Sequence, residues 1–278
     1  MIIFTCITNG YDEIPDDHYY DPDVQYICYT DGTVTHKGAW EFREIPIESD
    51  CPLKLSLYPK IMINDCFPLG SQVVWIDGCY LMTKEWVEFS KKLFESHPRT
   101  HMIHPNRFSY LDEILEGYMA AFNTREDVIN ITKTARKMGF DFKNYGSPIL
   151  ASNWQTVTDS PRQEKFQKIW WDFSQISTRC DQIGFEVAKQ LSGLEFNTCS
   201  FFETGADFTG VGGKGRVGRK KIHPRPGDRE QYMNRDKMLK EVSRMTFLNP
   251  KIYAKNFDEN TEKGRERLNI WLDYYKKF

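Results

Sequence analysis

An apolar run, Gln72 to Ile76, stops abruptly at Asp77-Gly78, which puts a carboxylate where a strand gives way to a turn. At such a strand end a carboxylate can hold a divalent cation, or a ribose beside a diphosphate. Aspartate is also an ordinary turn former, so Asp77 by itself leaves both readings open. Asp31, after Cys28-Tyr29-Thr30, carries the same two readings, and the pair sets two carboxylates on one expected ligand edge. Arg179-Cys180-Asp181-Gln182 opens a helical stretch. There Asp181 and Gln182 either cap the helix or meet a sugar or acceptor. In His104-Pro105-Asn106-Arg107 the His and Arg either face a phosphate or line a surface proline turn. A basic stretch lies at residues 210–229. Its seven bases, Lys214, Arg216, Arg219, Lys220, Lys221, Arg225 and Arg229, against Asp228 give a net +6 within a chain of net charge -2. Glycine and base without hydrophobic period suit contact with a phosphate backbone, a solvated loop, or an arm that closes over a diphosphate.

These residues need elements to position them. Ile2 to Thr8 reads as a buried strand running into the turn Asn9-Gly10-Tyr11-Asp12, and Val24 to Thr30 repeats the design before Asp31-Gly32. Trp40 to Ile47 alternates as a third strand, residues 52–66 read as helix carrying Pro59, and Gln72 to Ile76 is a fourth strand. A helix is predicted from Thr83, as N-cap, to about Glu95, then a short strand from His101 to His104. Helix dominates from Tyr110 to Lys137, a strand is expected over Gly146 to Ser152, and helices over Arg162 to Phe173 and Asp181 to Leu191. Two further helical segments, about 229–247 and 259–277, follow the basic stretch. Strands that alternate with helices and end in polar loops predict an α/β sheet with ligands at the strands' carboxyl ends.

Composition narrows the function classes. With 278 residues, 40% hydrophobic and 27% charged, the chain is neither disordered nor fibrous. A net charge of -2 rules out polyanion binding by the overall field, so any nucleic-acid contact must be local. The seven cysteines are scattered, with no paired zinc spacing, and are expected to be reduced thiols in a cytoplasmic protein. Nowhere do 18 apolar residues follow one another, so no transmembrane segment is expected. The 40 aromatic residues include platforms on which sugars and bases can stack as well as core.

Taken in order, Thr5 to Asp12, Tyr26 to Asp31, Tyr58 with Lys60, Trp75 to Gly78, His104-Pro105 with Arg107, Tyr145 to Ser152, and Asp181-Gln182 with Phe185 resemble a family. It is the glycosyltransferase-like family of bacteria and plant cell-wall synthesis, first described as a domain of unknown function and related in layout to GT-A nucleotide-sugar enzymes. The resemblance covers about residues 2 to 200. It implies a GT-A-like, Rossmann-type nucleotide-sugar-binding domain over residues 1–205, extended by the basic arm and two helices over 206–278. It implies donor contacts from Thr8, Tyr11, Asp31, Lys60, Asp77, Gly78, His104 and Arg107, with Lys60 as the cation beside the leaving diphosphate. Asp181 and Gln182 would stand at the transferred sugar. Trp75 to Gly78 would take the place of the acidic metal motif, with Asp77 the ligand of Mn²⁺ or Mg²⁺. Cys79 sits where that motif has its second carboxylate, and a hard cation prefers oxygen. Cys180 also interrupts the family's Arg-Asp-Gln.

The expected activity is transfer of a sugar from a nucleotide-sugar donor, a UDP-sugar first, to a hydroxyl. Because the family pattern lacks the basic arm, the first acceptor is a hydroxymethylated base in viral-type DNA, bound through Lys214, Arg216, Arg219, Lys220 and Lys221. A glycan acceptor is the alternative. A nucleic-acid-binding module without catalysis is the rival of another class.

Overall fold

Ile2–Ile7 (β1), Gln25–Thr30 (β2), Trp40–Glu44 (β3), Gln72–Ile76 (β4), Thr100–Ile103 (β5), Leu150–Val157 (β6) and Asn197–Ser200 (β7) join one sheet. Its order is β3-β2-β1-β4-β6-β5-β7. The computed structural model describes residues 1–34, 38–103, 113–115, 118, 123–142, 150–159, 161–176, 181–200, 241, 242, 244 and 245. Strand β6 runs antiparallel to both neighbours, and the other described pairings are parallel. The α/β sheet expected from the alternating elements is therefore present, and it is mostly parallel.

Strand residues two apart share a face, and the burial pattern follows that rule. Ile3, Ile7, Tyr26, Cys28, Val74 and Ile76 face Trp86, Val87 and Phe94 of helix Lys84–Ser96 (α3). Phe4, Cys6, Ile27, Tyr29, Val73 and Trp75 face the opposite layer. That layer is built by Pro52–Ile61 (α1), the short Ile63–Cys66 (α2), Pro161–Ser174 (α5) and Asp181–Ser192 (α6). A third cluster joins Val128, Ile131 and Ala135 of Arg125–Lys137 (α4) to Phe173, Ile183 and Val187. Val242 and Met245, from the C-terminal part, are buried in it. Each large apolar side chain so buried contributes about 1.5–3 kcal/mol.

Local chemistry explains where elements stop. The Thr83 hydroxyl accepts the Trp86 N–H at 3.2 Å, the cap that opens α3. The expected helix over 52–66 is two pieces, broken at Met62 (φ -91°, ψ 53°). Pro59 removes a donor from α1, and the Leu55 carbonyl four residues earlier accepts the Cys6 thiol instead, at 3.9 Å. β3 ends at Glu44, short of the expected Ile47, because Pro46 cannot donate to a ladder. β6 continues to Val157, past the expected end at Ser152. β7 has no counterpart in the sequence-based reading. The helical reading of 229–247 is met at the four described residues, and 259–277 lies outside the described residues. Six described cysteines are free thiols. Among the described residues no helix is long and apolar enough to cross a membrane.

Candidate functional site

The chain leaves β1 to build β2 and β3 on one side, and returns to place β4 on the other. The carboxyl ends of β1 and β4 are therefore a topological switch point, the place where open α/β sheets bind ligands. Thr8 to Tyr11 leave β1 there, Asp31 leaves β2, and Asp77-Gly78 leave β4. The topology thus brings to one edge five residues, Thr8, Tyr11, Asp31, Asp77 and Gly78, that the resemblance assigns to a donor and that sequence alone could only order.

The turn after β1 is pinned to the end of β2. Asn9 and Gly10 hold left-handed backbone angles (φ 53° and 55°). The Asn9 N–H donates to Asp31 Oδ2 at 2.7 Å, and the Gly10 N–H to the Thr33 hydroxyl at 2.8 Å. Burial pushes the Asp31 carboxyl up, but hydrogen bonds from the Thr33 hydroxyl and the Asn9 and Thr33 amides outweigh it and hold it below its ordinary value. Asp31 is thus first a fastener of the turn that presents Tyr11. The buried Thr8 hydroxyl donates to the Pro52 carbonyl at 2.8 Å, tying the same turn to the start of α1. At the end of β4, Gly78 lies close against β1: a Cβ there would lie 2.6 Å from Ile7 Cδ1.

Lys60 approaches Asp77 from α1. Its Nζ donates to Asp181 Oδ2 at 2.6 Å, and the two side chains are 8% and 18% exposed. Nζ also stands 5.2 Å from the centroid of the Trp75 ring. Burial pushes the ammonium's pKa down, yet the negative charges of Asp181 and Asp77 more than reverse this and leave it raised. Lys60 is therefore a charged cation throughout the neutral range. The Trp75 Nε1–H donates to Asp77 Oδ1 at 3.1 Å. Asp181 is the first residue of α6, and the Trp170 indole of α5 donates to its carbonyl at 2.6 Å. Gly184 permits that approach, since a Cβ there would lie 2.8 Å from Trp170 Cδ1. Gln182 is half-buried beside Asp181.

The structure therefore unites Lys60, Asp77 and Asp181. Tyr58 turns away instead, donating to Asp65 Oδ2 at 2.7 Å. Cys79 is fully buried in the cluster on the α3 face, so its thiol belongs to the core. His104, Arg107, Arg179, Cys180 and the bases Lys214, Arg216, Arg219, Lys220 and Lys221 lie outside the described residues. Sequence reasoning gives no site role to Trp75 or Trp170. For Trp75 the signal exists, because it shares a strand face with Asp77.

Among the described residues, no three His, Cys, Asp or Glu side chains lie close enough together to hold a metal ion. Mg²⁺ commonly takes one or two protein carboxylates and completes its shell with substrate phosphates and water. Asp77 fits that use, a single carboxylate with one of its oxygens oriented by the Trp75 indole N–H. No protein-family model matches the chain, and a search of curated proteins returns no match.

Proposed function

We propose that this chain is a GT-A-like glycosyltransferase that moves a sugar from a nucleotide-sugar donor, a UDP-sugar first, to a hydroxyl. The observation that carries the reading is the convergence of Asp77, Lys60 and Asp181 beside the carboxyl end of β4. The strand order with one reversed strand supports the fold assignment.

Transfer requires the leaving diphosphate to be neutralised and the acceptor oxygen to be aligned with the anomeric carbon. The turn at Asn9 to Tyr11, fastened by Asp31, offers a fixed ledge for the nucleoside. Lys60 supplies a fixed positive charge near the diphosphate in a mostly dry site, where it acts more strongly than in water. A divalent cation held by Asp77 would add charge neutralisation at the same leaving group. Asp181 and Gln182 stand on the sugar side, with Asp181 held in place by Lys60 and the Trp170 indole.

A thermal-shift screen of nucleotide sugars, with and without chelator, tests the donor. Ligand at 100 times its Kd stabilises the fold by about 2.7 kcal/mol, so one nucleotide class should raise the melting temperature by several degrees. No shift with any nucleotide sugar would overturn the reading.

For the acceptor we propose DNA carrying a base hydroxyl, on the strength of the net +6 over residues 210–229. The described backbone leaves β7 at Ser200, at the same end of the sheet as Ile76, ten residues before that stretch begins. A base in a duplex has to be turned out of the stack to reach such a site. Sugar transfer to a glycan but not to hydroxymethylated duplex would replace DNA as the acceptor.

A further inference from the structure

Trp75 and Asp77, two residues apart, point to the side of the sheet covered by α1, α5 and α6. The Trp75 side chain is 4% exposed and meets the Phe4 ring edge-on at 5.4 Å. A buried indole N–H usually finds an acceptor, and Trp75 has Asp77 Oδ1 at 3.1 Å. The face of the same ring lies 5.2 Å from Lys60 Nζ, within the range of a cation–π contact. Lys60 in turn holds Asp181 Oδ2 at 2.6 Å. One side chain thus touches the carboxylate on the donor side directly, and reaches the carboxylate on the sugar side through a single cation.

We infer that Trp75 is a positioning residue of this site. Its N–H fixes the Asp77 carboxylate so that Oδ2 meets the diphosphate or its cation, and its ring seats the ammonium that orients Asp181. This rests on the nucleotide-sugar reading above and assigns to that site a residue that touches no substrate. Core packing alone asks only for a flat apolar ring, which phenylalanine supplies. Positioning asks for the N–H, which phenylalanine lacks.

The full chain carrying Trp75→Phe, Asp77→Ala or both is titrated with uridine diphosphate and Mn²⁺ by calorimetry. Affinity is expected to fall about tenfold in Trp75→Phe, the scale of a missing hydrogen bond to a charged group, and the double variant should bind no worse than Asp77→Ala. In parallel, the indole N–H signals of the seven tryptophans are followed by NMR in the wild type, with the Trp75 signal assigned by its disappearance in Trp75→Phe. That signal should move when uridine diphosphate is added, and the NMR test needs no stable variant beyond the one used for assignment. Losses that multiply in the double variant, or a Trp75 signal that stays still while the nucleotide binds, would make Trp75 core alone and overturn the inference while leaving the donor reading intact. No binding of any nucleoside diphosphate to the wild type would remove the donor reading, and this inference with it.

Discussion

Lys60 and Asp181 lie 121 residues apart and meet at 2.6 Å with little solvent around them. Breaking a buried pair strands one charge, at a cost of about 3–5 kcal/mol, whereas replacing both members with apolar groups is often neutral. Lys60→Met and Asp181→Leu should therefore each destabilise by about 3 kcal/mol, read from urea melts, and the double variant should regain most of that stability. Sugar transfer should be absent from all three. A double variant no more stable than the singles would show that the pair supports the fold itself. The raised pKa of Lys60 fixes the sign of its pH dependence: its contribution is complete below the unfolded value and disappears only as pH rises through the higher folded value. Asp77→Asn should abolish transfer without lowering the melting temperature, since it removes charge and keeps shape. Each of Lys60, Asp77 and Asp181 can be singled out from sequence, two of them as strand-end or helix-start residues. That Lys60 bridges the other two cannot, because no local pattern records a contact between α1 and α6.

At the scale of elements, legibility follows local periodicity. β4 is readable to its ends, because Val73, Val74, Trp75 and Ile76 form an apolar run between Gln72 and Asp77. α3 is readable because Thr83 is a cap that declares itself. β7 is not, since Asn197-Thr198-Cys199-Ser200 is short and polar and forms only by pairing with β5 at the edge of the sheet. The second half of β6 escapes sequence reasoning on related grounds: Asn153, Gln155 and Thr156 make a polar strand that the flanking β4 and β5 hold in place. The turn after β4 packs against β1 at Gly78. In Gly78→Ala the new methyl would press on Ile7 Cδ1 and Cγ1, at 2.6 and 2.7 Å. Overpacking of this kind costs about 1–3 kcal/mol, so chemical denaturation should find destabilisation in that range. α4 offers a contrast, since it supplies none of the candidate site residues. Thr124→Ala removes the capping box with Asp127, which should cost about 1 kcal/mol and leave donor binding unchanged by calorimetry.

For the whole molecule, two buried ionisable groups set opposing slopes of stability against pH. Burial pushes the Glu186 carboxyl up to about 7, although Lys189 Nζ lies 2.8 Å away. A raised carboxyl pKa means that the fold binds a proton the unfolded chain has released, so stability falls as pH climbs from about 4.5 to 7. Burial also holds the imidazole of His101 well below its ordinary value, with the Lys189 charge adding to the effect. Neither ring nitrogen has a hydrogen-bond partner among the described residues. For that group the sign reverses, and stability falls as pH drops below about 6.5. Glu186→Gln should therefore stabilise by about 1–3 kcal/mol at pH 8 and change little at pH 4.5, read as melting temperature at the two pH values. The basic stretch belongs to this scale too. Replacing Arg216, Arg219, Lys220 and Lys221 with Gln should flatten the salt dependence of duplex binding by roughly 0.9 in log–log slope for each phosphate no longer neutralised. An unchanged slope would mean that these residues do not touch DNA.

The reversed strand also sets a timetable for synthesis. By Ile76 the chain has made all of β3-β2-β1-β4, so half the sheet can assemble as it emerges from the ribosome. β5 is made next, but both its neighbours, β6 and β7, come later in the sequence. At a translation rate of about 5–20 residues per second, the roughly 50 residues between β5 and β6 leave it without a partner strand for about 2–10 seconds. The open side of β4 waits longer, about 4–15 seconds at the same rate, so this chain meets the cell first as a half-sheet whose β4 edge is unpaired, the form in which chaperones and stray strands compete for it.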